Sequence, residues 1–240
     1  ARETPGDCRM LILGMGTGTY ATQCNRYFGE MDIQGVEIDE KITELARTYF
    51  ELPDRVQVTT YDGRAYLNAI TEKYDVIMVD AYQDITIPFQ MSSVEFFTLV
   101  KDHLTEGGVM VVNMNMRGGG DGNINQYLAD TIASVFDRVY TVDVRGTTNR
   151  ELFAMNHGDG PERMTAHRAE LADGSLSAMM EHVQSNLTAY EAGNYVMTDD
   201  KAPVELLGMR VIDELIRDEV AYYKEIYEQQ GIQGVLESLN

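Results

Sequence analysis

The glycine-rich run Gly14-Met-Gly16-Thr17-Gly18-Thr19 directly follows an apolar stretch, Arg9 to Leu13. Residues without a Cβ let the backbone come close to a ligand. A helix that starts just after the run offers its positive end to a carboxylate or similar group. The dinucleotide fingerprint asks for glycine at the first, third and sixth places, and the sixth here is Thr19. Gly14, Gly16 and Gly18 instead suit a nucleoside carrying a short charged tail. Glu37 ends the next apolar run. A carboxylate there can accept hydrogen bonds from both hydroxyls of a ribose, while Asp39 supplies the negative charge for the helix that follows. Asp62-Gly63 comes after a third run. Its carboxylate can accept from an adenine amino group, with a nearby N–H serving a ring nitrogen; an ordinary helix cap explains Asp62 equally well. Three such features at successive strand ends read as adenosine held across one edge of a sheet.

A fourth strand end carries Asp80. A carboxylate beside a sulfonium can bind a cationic amine or take its proton, which some group must do because amines attack only when neutral. Asp80 can also be read as an acceptor for strand-end backbone donors. Tyr82 is a candidate pocket wall or a core tyrosine. The acids of Thr198-Asp199-Asp200-Lys-Ala-Pro203 either close over the substrate side or cap a helix that begins near Glu205. His103, His157, His167 and His182 lack ligand spacing, as do Cys8 and Cys24, so no metal is expected. The methionines read as core fillers.

These residues need a frame that brings strand ends together. Strands are expected at 9–14, 33–38, 55–59, 74–80 and 109–113, with helices at 19–28, 39–50 (capped by Asp39), 63–70 and from Ser92 or Ser93 to 104. Glu106-Gly-Gly108 is read as the turn into the fifth strand. Alternation of this kind implies right-handed crossovers and a parallel sheet covered on both faces. Residues 117–122 are read as a flexible joint before a helix at 124–136. Strands at 139–144 and 151–156 are close enough to form an antiparallel hairpin. The tail is polar and helical, most clearly at 213–230. The expected fold is therefore a Rossmann-like, doubly wound, mostly parallel seven-stranded α/β sheet with helices on both faces. It ends in an antiparallel hairpin and a helical C-terminal extension. The expected units are 1–157, the nucleoside-binding catalytic domain, and 158–240, an extension packed on it.

Composition narrows the partners. The 240 residues carry 19 Lys+Arg against 39 Asp+Glu, a net charge of −20, and show no basic track of the kind nucleic-acid binding requires. Such a field attracts small cations, polyamines among them, although a solvated acidic surface is the plainer reading. No apolar run approaches the roughly 18 residues of a membrane span. No secretory signal opens the chain, and two cysteines suit a reducing compartment, so a cytoplasmic location is expected. Arg9 already opens a strand, which suggests a piece of something longer.

Taken together, Leu11-Ile-Leu-Gly-Met-Gly-Thr-Gly-Thr19, Val36-Glu-Ile-Asp39, Tyr61-Asp-Gly63, Tyr74-Asp-Val-Ile-Met-Val-Asp-Ala-Tyr82 and Glu106-Gly-Gly-Val109 resemble the spermidine synthase family. Ile87-Pro88, Glu95-Phe-Phe97 and Thr198-Asp-Asp-Lys-Ala-Pro-Val-Glu205 are most similar to its spermidine-synthase-like branch, whose members are often fused to membrane-transporter segments. The resemblance implies a class I methyltransferase fold. It also implies a co-substrate, S-adenosylmethionine or its decarboxylated form, and aminopropyl transfer to a polyamine. By position it gives Gly14, Gly16, Thr17 and Gly18 to the co-substrate loop, Glu37 to the ribose and Asp62-Gly63 to the adenine. Asp80 takes the place of the catalytic aspartate, with Tyr82 beside it. Thr17 stands where the synthases carry an acid. Gln83 stands where they carry a second aspartate, and Asp84 follows one residue late. Their N-terminal β-hairpin domain is not expected here.

Three functions stay open at this point: aminopropyl transfer to a small cationic acceptor, methyl transfer from S-adenosylmethionine to a small acceptor, and non-catalytic nucleoside binding by a domain of a larger membrane protein. No nucleic acid and no direct membrane contact are expected of this segment. A homodimer is left open, and NAD-dependent oxidoreduction is disfavoured by Thr19.

Overall fold

In the computed structural model, residues 7–81, 87–115, 120–157 and 159–238 are described. The first half of the chain alternates strand and helix: β1 (Arg9–Leu13), α1 (Thr19–Phe28), β2 (Asp32–Glu37), α2 (Glu40–Tyr49), β3 (Gln57–Thr60), α3 (Gly63–Ala69), β4 (Tyr74–Val79), α4 (Val94–Asp102) and β5 (Leu104–Asn115). After these come α5 (Ile124–Val135), β6 (Arg138–Asp143), β7 (Asn149–Met155), α6 (Gly160–Arg168), α7 (Gly174–Asn186), β8 (Thr188–Ala189) and α8 (Val204–Ser238).

Short polar side chains open several helices. Asp39 accepts from the Lys41 N–H, Asp62 from Ala65, Ser93 from Phe96 and Asn123 from Gln126. Each such cap contributes about 1 kcal/mol by satisfying a donor that the helix itself cannot.

The strands form one sheet in the order β3-β2-β1-β4-β5-β7-β6-β8. The first five are parallel to their neighbours, while the β5–β7, β7–β6 and β6–β8 pairs are antiparallel. β1 is where the winding reverses, with β2 on one side and β4 on the other. Ligand crevices of open α/β sheets lie at the carboxyl ends of such strands.

Alternation along the strands divides the core. Met10, Ile12 and Met78 pack with Ala21, Cys24 and Ala46 of α1 and α2. Leu11, Leu13, Ile77 and Val79 face the other way, onto Leu67, Phe96, Phe97, Leu128 and Ile132. Val204, Leu207 and Val211 carry the start of α8 into that second layer.

The sheet departs from expectation in a few places. Among the described residues it has eight strands rather than seven. The eighth, Thr188–Ala189, pairs with Thr141 and Tyr140 and is too short to show alternation in the sequence. Glu106-Gly-Gly108 is an irregularity within β5 rather than a turn before it: Leu104 already pairs with Tyr74, and the register shifts before Val76 pairs with Val109. α4 consequently ends at Asp102, two residues early. β3 starts at Gln57 because the Val56 N–H closes a turn on the Pro53 carbonyl. The tail helix expected at 213–230 is the middle of α8, which kinks at Gly231, where φ is 68°.

Candidate active site

The carboxyl ends of β1, β2, β3 and β4 surround a cleft of about 320 Å³. Gly14, Gly16, Glu37, Asp62, Gly63 and Asp80 line it, so six of the residues singled out by type and spacing converge on one space. The last turn before α1 brings the β1 loop hard against β4. Gly14 has φ of 84°, and a Cβ there would sit 2.6 Å from the Asp80 carbonyl oxygen. Only glycine fits both that conformation and that approach.

Glu37 is 6% exposed. Its Oε2 accepts from the Gly16 N–H at 2.8 Å and its Oε1 from the Asp39 N–H at 3.1 Å. One carboxylate therefore ties the glycine loop to the end of β2. An ionised carboxylate offers about four acceptor positions, so both oxygens keep capacity for ribose hydroxyls at the cleft wall. Asp62 does two jobs that looked like alternatives in the sequence. Its Oδ1 caps α3 through Ala65 at 2.8 Å, and the residue also lines the cleft. Ile38, Ile42 and Tyr61 supply wall on this side.

Pro88, Gln90 and Met91 line the cleft as well. Sequence reasoning did not single them out for the site, because a short 3₁₀ turn (Phe89–Met91) has no periodic signal. Arg64 holds that turn by donating to the Gln90 carbonyl at 3.1 Å. The same guanidinium grips both Asp199 oxygens, at 2.7 and 2.6 Å, and Ser93 Oγ donates to Asp199 at 2.5 Å. Asp199 is thus engaged with Arg64, and Asp200 lies exposed on the neighbouring turn; neither lines the cleft or caps α8. Thr17 and Gly18 are also outside the lining; Gly18 is the residue that opens α1. Tyr82 and Asp84, with Gln83, lie outside the described residues.

At the end of β4, Asn113 Nδ2 donates to Asp80 Oδ1 at 3.1 Å, and Asn149 Nδ2 donates to Asn113 Oδ1 at 3.0 Å. Burial pushes the Asp80 carboxyl above its ordinary value, and the Asn113 hydrogen bond pulls part of the way back. Val79 pairs with Val112 and Asn113 with Glu151, so Asp80, Asn113 and Glu151 occupy adjacent places on β4, β5 and β7. Residues directly opposite each other in a sheet share a face. Burial, with the Asp80 charge adding to it, pushes Glu151 up to about 7. The Tyr20 hydroxyl on α1 is raised too, first by burial and then by Cys24, Glu151 and Asp80. Glu151 and Tyr20 carried no motif; only strand register and packing bring them here.

Among the described residues, no cluster of three or more His, Cys, Asp or Glu is placed to hold a metal. Within the same residues, no helix is long and apolar enough to cross a membrane.

Residues 3–142 match the spermine/spermidine synthase domain. A probable polyamine aminopropyl transferase of Bifidobacterium longum is 54% identical, over 95% of this chain and 55% of that protein. The chain thus spans little more than half of that relative's length. Human methyltransferase-like protein 13, solved in complex with SAH, shares 24% identity over 77% of this chain and 85% of its own, with a TM-score of 0.60. A probable spermidine synthase from Corynebacterium glutamicum shares 22% over 80% and 75%, with a TM-score of 0.56. These two likenesses establish a methyltransferase-like fold.

Proposed function

The chain belongs to the spermine/spermidine synthase family, and from that premise we propose that it is a transferase acting on an adenosyl sulfonium co-substrate. The reaction we propose is aminopropyl transfer from decarboxylated S-adenosylmethionine to a small polyamine. The observation that carries it is Glu37: a buried carboxylate that fixes the glycine loop and retains acceptor capacity at the wall of a cleft running on to Asp80. The aligned relative from Bifidobacterium is named for this activity, and the net charge of −20 favours cationic substrates.

On this reading Glu37 receives the ribose hydroxyls, and Asp62 and Gly63 face the adenine. Asp80 orients the acceptor amine and takes its proton. The neutral amine nitrogen attacks the propyl carbon next to sulfur, and the C–S bond breaks with its electron pair going to sulfur. Methylthioadenosine leaves, the product departs as a secondary ammonium, and Asp80 gives the proton it took to solvent. The sulfonium supplies the leaving group, so the protein's work is alignment and proton transfer. Residues 1–157 act as the nucleoside-binding unit, with 158–240 packed against it. The protein would work in the cytoplasm, alone or within a longer membrane-fused chain.

Calorimetry with methylthioadenosine, S-adenosylmethionine and its decarboxylated form tests the proposal. Tighter binding of the decarboxylated form, with methylthioadenosine released in the presence of a polyamine, is the expected result. Preference for the parent compound with methyl transfer would replace it, as would binding of all three without turnover.

A further inference from the structure

The long helix α8 has apolar residues on two different sides. Val204, Leu207 and Val211 are buried in the core at its start, and Leu215 packs against the same layer. From Ile216 to Gln233 no residue is buried, and Ile226 is half covered where Gly234, beyond the kink, lies on it. Met209, Ile212, Ile216, Val220, Tyr223 and Tyr227 recur every three or four residues. At 100° per residue they fall within about 80° of arc and form a stripe about 27 Å long. All but Tyr223 are 42–61% exposed. The stripe lies on the side of the helix away from Val204, Leu207 and Val211, and among the described residues nothing covers it.

Single exposed apolar side chains are ordinary, but a continuous line of them is not. The stripe amounts to roughly 600 Å², the upper end of what a monomer leaves in water. A solvated helix of this length is only marginally stable by itself, so a partner along the stripe would hold it in shape. Charge argues against a membrane as that partner. Helices that lie on bilayers carry Lys and Arg on their polar face, whereas between Met209 and Gln230 three basic residues stand among six acids. The area suits a second copy: two stripes face to face remove about 1,200 Å² from water, which reaches the range of specific interfaces. The edges suit it too. Arg217 and Lys224 follow one edge of the stripe and Glu219 the other. Helices laid side by side in the same direction bring Glu219 of each copy toward Arg217 and Lys224 of the other. Opposite directions would bring like edges together.

We propose that α8 is a dimerisation helix: two copies of the chain pair stripe to stripe, their α8 helices parallel about a twofold axis along the seam. Each stripe residue then meets its own counterpart, and the two sheet domains lie on the outer sides. The pairing stands independently of the reaction.

Sedimentation equilibrium of the full chain between about 1 and 100 μM measures the association, for which a Kd in the micromolar range or below is expected. Val220→Glu puts a charge into the seam and should raise that Kd about a hundredfold or more. Val220 is exposed in the single chain and glutamate favours helix, so the variant should fold normally, with an unchanged near-UV spectrum. Met209→Cys, at one end of the stripe, should form a disulfide-linked dimer under mild oxidation. The wild type, with Cys8 and the buried Cys24, should not. A wild type that remains a single chain at about 100 μM overturns the proposal, whether the stripe then floats with vesicles of phosphatidylcholine and phosphatidylglycerol or not. A dimer that survives unchanged in Val220→Glu overturns it as well. So does failure of Met209→Cys to cross-link, because antiparallel helices would hold the two sulfurs at opposite ends of the seam.

Discussion

Arg64 and Asp199, 135 residues apart in the chain, form a two-pronged ion pair that joins the first turn of α3 to the segment before α8. Since Arg64 also holds the Gln90 carbonyl, and the Asp199 N–H donates to Glu95 at 3.0 Å, the pair braces the part of the cleft wall that Gln90 and Met91 supply. The Arg64 hydrogen bonds are the main cause that holds the Asp199 carboxyl below its ordinary value. Asp199 is 41% exposed, so solvent screens much of the attraction and the pair contributes about 1 kcal/mol or less. Its greater effect should be on shape. Arg64→Ala is expected to weaken methylthioadenosine binding several-fold while lowering Tm only slightly, and Arg64→Lys, which cannot make the fork, should recover little. A depressed carboxylate pKa stabilises the fold above the unfolded value and loses that contribution as pH falls through the folded one. The stability difference between wild type and Asp199→Asn should therefore begin to shrink below about pH 4 and vanish once the pH has fallen past the lowered folded value. Urea melts across pH check this.

Glu37 gives the sharpest test of the nucleoside site. Glu37→Ala leaves the Gly16 and Asp39 N–H groups without their acceptor, at a cost of about 1–3 kcal/mol each where they stay dry. It also removes the proposed ribose contact. Loss of all measurable methylthioadenosine affinity is expected, together with a fall in Tm. Glu37→Gln keeps one acceptor oxygen and should retain most of the Tm but little of the affinity. Unchanged affinity in Glu37→Gln would exclude the ribose role, and equilibrium dialysis is sufficient to see it.

Much of this frame was legible in the sequence because it rests on local rules. Apolar runs ending in glycine or an acid gave β1, β2 and β4, and the caps Asp39, Asp62 and Ser93 announced the helices behind them. Six lining residues followed, because strand ends in a doubly wound sheet share one edge. Long-range register was not legible. Nothing near Glu151 states that it stands opposite Asn113, and nothing near Asp199 names Arg64. The two-residue β8 is below the length at which alternation can be read, and Pro88 to Met91 reach the cleft only because α3 holds them there.

Gly14 tests the frame itself. A Cβ at this position would meet the Asp80 carbonyl at 2.6 Å in a backbone conformation that side chains resist. Gly14→Ala should cost on the order of 1–3 kcal/mol, because main-chain atoms must move. Since the displaced strand end carries Asp80, turnover should fall more than nucleoside affinity. Thermal melts with parallel kinetics separate the two effects.

For Asp80→Asn the expected result is loss of nearly all turnover with methylthioadenosine affinity almost intact, since the residue lines the cleft and, on the proposed reading, handles the acceptor amine. Removing a proton acceptor costs roughly 10²–10⁴-fold in rate. A variant as active as the wild type would clear Asp80 of any part in the chemistry. The Asn113 amide should tolerate the change, because asparagine retains an acceptor oxygen for it.

The last prediction concerns the dependence of stability on pH. Glu151 rises from 4.5 to about 7 on folding, first by burial and then by the Asp80 charge. A raised carboxyl pKa means that the folded state binds the proton more tightly than the unfolded chain. Stability is thus favoured below about 4.5 and declines as pH climbs through that window to about 7. The burial is partial, so the decline should amount to a few kcal/mol at most. Glu151→Gln carries no proton to lose, and its stability should change less across the same window and exceed that of the wild type at pH 8. Chemical denaturation at several pH values reads both effects. A wild-type curve that runs parallel to the variant from pH 4 to 8 would show that Glu151 keeps its charge in the fold without strain.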